Sequence, residues 1–203
     1  ARFSGRMERA KALYTESLQG YRQTGNRSAV GFCLNGLGTI CAAMDAASEA
    51  RLYLEESRAM FQALGHVMGE AIATINLADL LIGLEEFAAA AERLDRGHRL
   101  CREIGHRWGM ATCRQHAGDI ARVTGRWEDA RAAYREALDI LESIGQQQAA
   151  ARCKIKLGQT YAALGAGALA DEYLRAAMAT AETLHDPALR EEAAAASAAL
   201  ASR

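Results

Sequence analysis

The sequence predicts an all-α protein built from antiparallel helix pairs, on the basis of its composition and one long repeat. Among its 203 residues, only Pro187 is a proline and only Val30, Val67 and Val123 are valines, whereas alanine, leucine, glutamate and arginine are abundant. This composition favours helices over a sheet. Glycines also recur every 40 residues, as Gly25, Gly65, Gly105 and Gly145. A fixed period of this length is typical of stacked helical repeats.

The glycines of this series mark the ends of helices. Each one follows a stretch of helix-forming residues, and a glycine just past a helix adopts the left-handed conformation that other residues adopt at a cost. His185 takes the fifth position of the series and is followed by Asp186 and Pro187. Aspartate suits the N-cap and proline the first position of a helix, so a last helix is predicted to begin there.

Two further sets of positions repeat with the same period and define how the helices pack. In each repeat a small residue is followed four positions later by a large one, and three positions after that by another small one. This spacing places all three on one helical face. The large residues are Tyr14, Leu54, Leu94, Tyr134 and Leu174. Each has an alanine four positions before it, and the small residues three positions after it are Ser17, Ser57, Gly97, Ala137 and Ala177. A second helix repeats Gly38, Ala78, Gly118 and Gly158. Glycine inside a helix costs about 0.5–1 kcal/mol relative to alanine, so we expect these positions to need close packing.

Each repeat is therefore predicted to contain a helix A, a short turn and a helix B. The turns between A and B lie near Asp45, Glu85, 125–126 and 165–167. The predicted helices, in order, are 6–24, 27–43, 47–64, 67–83, 86–104, 107–123, 127–144, 147–163, 168–184 and 187–202. They form a half repeat at 6–24, repeats at 26–65, 66–105, 106–145 and 146–185, and a capping helix at 187–202, all in one domain spanning residues 1–203.

These patterns resemble the tetratricopeptide repeat (TPR) family. Leu157, Gly158 and Tyr161, followed by Ala170, match the family spacing, and residues 125–138 are the most similar single stretch. The period is 40 rather than 34, and the family tryptophan and late proline are absent. The resemblance implies a right-handed superhelical solenoid. The longer repeats resemble those of bacterial LuxR-type regulators, signalling ATPases and Gram-positive quorum-peptide receptors. Because the chain starts without a methionine and on a helix B, we expect it to be a fragment of a larger protein.

Composition and charge argue against several other classes of protein. Lysine and arginine total 24 and aspartate and glutamate total 25, so the net charge is −1, and a nearly neutral chain lacks the basic field that holds a nucleic acid. The longest apolar stretch, 71–84, is interrupted by Asn76 and Asp79 and is shorter than the roughly 18 residues of a membrane span. No signal peptide is evident, and we expect a cytoplasmic protein.

The cysteines and histidines are interpreted as structural. Cys33, Cys113 and Cys153 share one position of the repeat with Ala73, which indicates a small buried group, with a nucleophile or redox pair as the alternative. The five cysteines lack the spacing of a zinc site or a disulfide framework. His66 and His106 share a position with Asn26 and Gln146. We therefore predict no catalytic, cofactor-binding or metal-binding residue, and an enzyme has no positive support.

The face of helix A opposite the packing positions is the candidate binding surface, because the resemblance implies that it lines a concave groove. Its candidate residues are Asn35, Thr39, Asn76, Asp79, Gln115, His116, Asp119, Arg122, Arg152, Lys156 and Gln159. Amide side chains can bond an extended backbone. Arg152 and Lys156 suit an acidic ligand group, and Asp79 and Asp119 a basic one. The alternative is an ordinary solvated helix face.

The sequence thus predicts a non-catalytic module of a larger bacterial regulatory or signalling protein that binds a protein or peptide on helix A. Two alternatives stay open, a receptor for a short signalling peptide and a structural arm for oligomerisation or spacing. No cofactor, membrane or direct nucleic-acid contact is expected, and self-association is left open.

Overall fold

The computed structural model describes the backbone of residues 2–201 and the side chains of residues 5–200. Over this range the chain forms helices joined by short turns, with no strand. The helices are α1 (Arg2–Gln23), α2 (Arg27–Ala43), α3 (Ala47–Ala63), α4 (Val67–Gly83), α5 (Phe87–Glu103), α6 (Arg107–Val123), α7 (Trp127–Ser143), α8 (Gln147–Ala163), α9 (Gly167–Thr183) and α10 (Pro187–Ala201). The predicted all-α fold of helix pairs is confirmed. The largest difference is at α1, which begins at Arg2 because Gly5 is accommodated inside the helix.

The turns are nearly identical and explain the strict period. A residue with positive φ follows each helix from α1 to α9, as in Gly65 at 63°, Asp45 at 60° and His185 at 50°. After α3, for example, the Gly65 N–H donates to the Gln62 carbonyl at 3.1 Å and the His66 N–H to the Phe61 carbonyl at 2.9 Å. These are the two bonds of a Schellman motif, which ends a helix within three residues. Each interior helix has 17 residues, so a helix and its turn occupy half a repeat.

At four of the five positions of the predicted glycine series, the side chain of the next residue caps the following helix, whereas Gln146 makes no such bond. The Asn26 Oδ1 accepts the Ala29 N–H at 3.1 Å, and the Asp186 Oδ1 accepts the Leu189 N–H at 3.0 Å. His66 does the same with Nδ1, which accepts the Gly69 N–H at 2.9 Å. His106 repeats this arrangement at the start of α6, where its Nδ1 accepts the Gly109 N–H at 3.2 Å. The two histidines therefore act as N-cap residues, which gives their shared position a physical reason.

Close approach of paired helices explains the repeated small residues. A Cβ atom on Gly118 would lie 2.5 Å from Cε1 of Tyr134, and one on Gly158 would lie 2.7 Å from Cγ of Leu174. The large residues at this position in α3, α5, α7 and α9 are at most 3% exposed, so the predicted packing is confirmed for these four helices. Tyr14 differs, with 41% exposure, because its helix packs mainly against α2.

The described residues form two compact units, and the boundary between them falls between Gly109 and Met110, inside α6. We call residues up to 109 the N-terminal body and residues from 110 the C-terminal body. Leu54 and Phe61 are buried in the N-terminal body, and Tyr134 and Leu157 in the C-terminal body. The expectation of one continuous domain stays a prediction.

Candidate functional site

In the N-terminal body, four of the candidate residues lie on two consecutive A helices. Asn35 and Thr39 belong to α2, and Asn76 and Asp79 belong to α4. The Asn76 Nδ2 donates to the Asn35 Oδ1 at 3.0 Å, and both side chains are half-buried. This bond uses one donor of Asn76 and the acceptor of Asn35, so each amide keeps the capacity for further hydrogen bonds.

A groove of about 590 Å³ lies between the C-terminal halves of α2 and α4. We call it the α2–α4 groove. Its polar lining consists of Thr39, Asp45, Asn76 and Asp79. The remaining lining residues are glycine or aliphatic: Ala42, Ala43, Ala47, Leu54, Leu80, Ile82, Gly83 and Leu84. The structure thus brings Thr39, Asn76 and Asp79 together around one cavity.

Asp45 is a groove residue that the sequence analysis placed only in a turn. It follows α2 with a φ of 60°, at a position where six of the described turns carry glycine. The signal in the sequence that could have identified Asp45 was an aspartate at a turn position where most other turns carry glycine. The helix ends of α2 and α4 place its carboxylate at the rim, which only the tertiary structure reveals.

In the C-terminal body, Asp119 of α6 is held by two side chains from other helices. Its Oδ1 accepts the hydroxyl hydrogen of Tyr134 at 2.6 Å, and its Oδ2 accepts a hydrogen from the Lys156 Nζ at 2.7 Å. The same ammonium lies 5.7 Å from the centre of the Tyr134 ring. His116 Nδ1 lies 4.0 Å from the Asp119 Oδ2. We call Asp119, Tyr134 and Lys156 the Asp119 network.

The electrostatics of this network follow from burial. The Tyr134 side chain is completely buried, and this burial raises the pKa of its phenol, which the negative charge of Asp119 raises further. Tyr134 is therefore protonated and donates to the carboxylate. The Arg122 guanidinium acts in the opposite direction, by lowering the pKa of the same phenol. Asp119 and Lys156, which the sequence assigns to two different ligand groups, compensate each other's charge in the structure.

The other candidate residues of the C-terminal body lie around or apart from this network. Gln115 and Arg122 are half-buried, and the Cys153 thiol donates to the Tyr134 carbonyl at 3.1 Å. Arg152 is exposed on α8, and its Nε lies 3.6 Å from Glu192 Oε2 on α10. Gln159 is exposed and lines a separate small cavity of about 60 Å³ with Gly158, Leu174 and residues of α10.

Tyr134 is the network member that sequence reasoning treated only as core. The signal was a tyrosine where three other repeats have leucine.

The cysteines have the environment of packing residues. Cys33, Cys41, Cys101, Cys113 and Cys153 are all buried, and none of them forms a disulfide with another described residue. Burial raises the pKa of the Cys153 thiol from 9.0 to about 12 and also raises the pKa of the Cys33 thiol. Since the thiolate is the reactive form, both thiols are unsuited to act as nucleophiles at neutral pH. Among the described residues, no three His, Cys, Asp or Glu side chains are grouped in a way that would hold a metal ion.

The hydropathy of the helices gives no sign of a membrane segment. Among the residues that the structure describes, none of the helices combines the length and the apolar character needed to cross a bilayer.

Comparison with known proteins connects this geometry with a family. The model of the family described as Tetratricopeptide repeat matches residues 1–63 and 69–143, which is more than half of the chain. Among curated protein sequences, none is significantly similar to it.

Three solved proteins or complexes with a similar fold are as follows. BtubC (BKLC) from P. vanneervenii has a TM-score of 0.80 and 17% identity, over 91% of this chain and 77% of that one. Aspartyl phosphate phosphatase F from Bacillus subtilis has a TM-score of 0.79 and 14% identity, over 82% and 44%. A Rap protein complexed with Competence and Sporulation Factor has a TM-score of 0.75 and 14% identity, over 92% and 54%. The chain thus spans about half the length of the last two proteins, and at these identities the likeness concerns the fold alone.

Proposed function

Because the chain belongs to the tetratricopeptide repeat family, we propose that it is a non-catalytic module that binds an extended peptide or protein segment on the polar faces of its A helices. The module would serve a larger bacterial regulatory or signalling protein. The buried cysteines and the two capping histidines, His66 and His106, support a role without catalysis, since each has a structural task.

The α2–α4 groove is the observation that carries this proposal. It is open and lined by the residues that the sequence singles out on the polar face, Thr39, Asn76 and Asp79. The paired amides of Asn35 and Asn76 can bond a peptide backbone regardless of its side chains. The aliphatic lining offers apolar contacts, and this combination of a largely apolar cavity with few polar groups is typical of binding sites.

A second candidate function is a receptor for a short signalling peptide. The observation in its favour is the similar fold of the Rap protein that was solved in complex with Competence and Sporulation Factor. The same groove would then hold a secreted ligand rather than a segment of a partner protein. A third candidate, a structural arm, predicts that the groove binds nothing.

The test is selection of binders from a random dodecapeptide library with the purified 203-residue chain, followed by fluorescence anisotropy with single peptides. Asn76→Ala should weaken binding about three- to tenfold, because a hydrogen bond contributes about 0.5–1.5 kcal/mol. Gln19→Ala is the matched control, since it removes an exposed amide from helix B of the half repeat. Equal affinity of the wild type and Asn76→Ala would contradict binding at the groove. Absence of any binder would favour the structural arm.

A further inference from the structure

We propose that the α2–α4 groove selects a lysine or arginine side chain of the bound peptide. This inference rests on the proposed function and adds the chemical class of residue that the groove accepts. It is carried by the charge, the shape and the wall composition of one cavity that lies entirely within the N-terminal body.

The charge of the lining favours a cation. Two carboxylates, Asp45 and Asp79, line the groove, and none of its described lining residues is a lysine, arginine or histidine. The last turns of α2 and α4 also lack a basic residue. Both helices end at the groove, where the C-terminal ends of their dipoles add partial negative charge, while α3 contributes the opposite end of one helix through Ala47. The charged side chains among the described lining residues are therefore both acidic.

The walls favour a cation that is carried on an apolar stem. Besides the two carboxylates, the lining includes Ala42, Ala43, Leu80 and Ile82. Lysine and arginine bury their methylene groups against apolar surface while their charged ends stay near water. A small inorganic cation would gain nothing from these walls. The volume of about 590 Å³ leaves room for a long side chain and for the adjacent backbone.

Polar neighbours of the same cavity orient the rest of the ligand. Thr39 and Asn76 line the groove, and Asn76 is also bonded to Asn35. A peptide whose backbone bonds the amides can place one side chain in the groove. We therefore expect a preference for one basic residue within the bound segment rather than for basic charge in general.

Asp45 allows a clean test because of its backbone conformation. With φ at 60°, it occupies the left-handed region, which asparagine adopts at least as readily as aspartate. Asp45→Asn thus removes the charge without adding strain. Glu85→Gln is the matched control, since Glu85 has a φ of 59° in the equivalent turn after α4 and does not line the groove.

The experiment compares the peptides that three forms of the chain select from a random dodecapeptide library. These forms are the wild type, Asp45→Asn/Asp79→Asn and Glu85→Gln, each checked for unchanged helicity by circular dichroism. We expect lysine and arginine to be enriched at one position in the pools of the wild type and Glu85→Gln, and the enrichment to disappear with the double variant. A selected peptide should lose about two- to fivefold in affinity when its basic residue is replaced by norleucine, as expected for a partly exposed ion pair, and this loss should shrink at high salt.

The outcomes separate this inference from the proposed function. Wild-type binders without a basic preference, or an unchanged preference in the double variant, would overturn the inference and leave peptide binding in place. A norleucine peptide that binds the wild type as tightly as the lysine peptide would also overturn it. A wild-type chain that selects no peptide at all would refute both. If the double variant misfolds, Asp45→Asn alone replaces it, and the enrichment of lysine and arginine should then be reduced relative to the wild type.

Discussion

Replacing Tyr134 with alanine should lower the free energy of unfolding by about 3–5 kcal/mol, as expected when a large buried aromatic side chain is truncated. The side chain is completely buried, and its ring fills the space left by the missing Cβ of Gly118. Its hydroxyl donates to Asp119 at 2.6 Å. Truncation thus removes both a packed ring and a hydrogen bond to a charged group.

Two milder substitutions separate these contributions. Tyr134→Phe keeps the ring and should cost about 1.5 kcal/mol, the low end for a hydrogen bond to a charged group, because Asp119 is partly exposed and water can replace the hydroxyl. Tyr134→Leu introduces the residue that other repeats use. Its loss in the free energy of unfolding should fall between the losses of Tyr134→Phe and Tyr134→Ala. Tyr21→Ala, at a tyrosine that is 41% exposed, is the control and should cost less than about 1 kcal/mol.

The measurement is equilibrium unfolding in urea, followed by tryptophan fluorescence. Trp127 lies in the same body as Tyr134, so a Trp108→Phe background makes the signal report on that body. A loss below about 1 kcal/mol for Tyr134→Ala would refute the argument that burial of the ring dominates. A phenylalanine variant as unstable as the alanine variant would show that the hydroxyl, rather than the ring, carries the effect.

Three further predictions concern packing, pH and capping. Gly118→Ala should destabilise the chain by about 1–3 kcal/mol through overpacking, whereas Gly20→Ala, in open space on α1, should stabilise it by up to about 1 kcal/mol; equal effects in urea unfolding would contradict the close approach. Burial raises the Cys153 pKa from 9.0 to about 12, so the unfolded state loses this proton first, and stability should fall as pH rises from 9 towards 12. Cys153→Ala should flatten that part of the profile, and an unchanged slope would exclude this thiol as its source. His106→Ala should cost about 1 kcal/mol in thermal unfolding by removing the cap, and His106→Asn should restore most of it; two equally unstable variants would argue against the cap.

Local patterns in the sequence were sufficient to predict the helical framework. The 40-residue spacing of Gly25 and its equivalents predicted the helix ends, because a left-handed residue ends one helix and allows the next to begin two residues later. The alternation of small and large residues around Leu54 and Tyr134 predicted the buried face, because each pair of helices approaches closely enough to exclude side-chain atoms from Gly38 and Gly118. These features depend on residues close in sequence, and the repeat displays them several times.

Tertiary structure alone decided what the polar residues do. Asp119 and Lys156 are 37 positions apart, and their pairing, with Tyr134 as the second donor to the carboxylate, depends on how three helices stack. The same holds for Asp45, which is a turn residue in the sequence but borders the α2–α4 groove because α2 and α4 end side by side. The sequence by itself determined which face of each A helix is polar. Which of those charges compensate each other and which line a cavity was set by distances between helices, since electrostatic and hydrogen-bonding contacts depend on separations of a few ångströms that a repeat pattern does not encode.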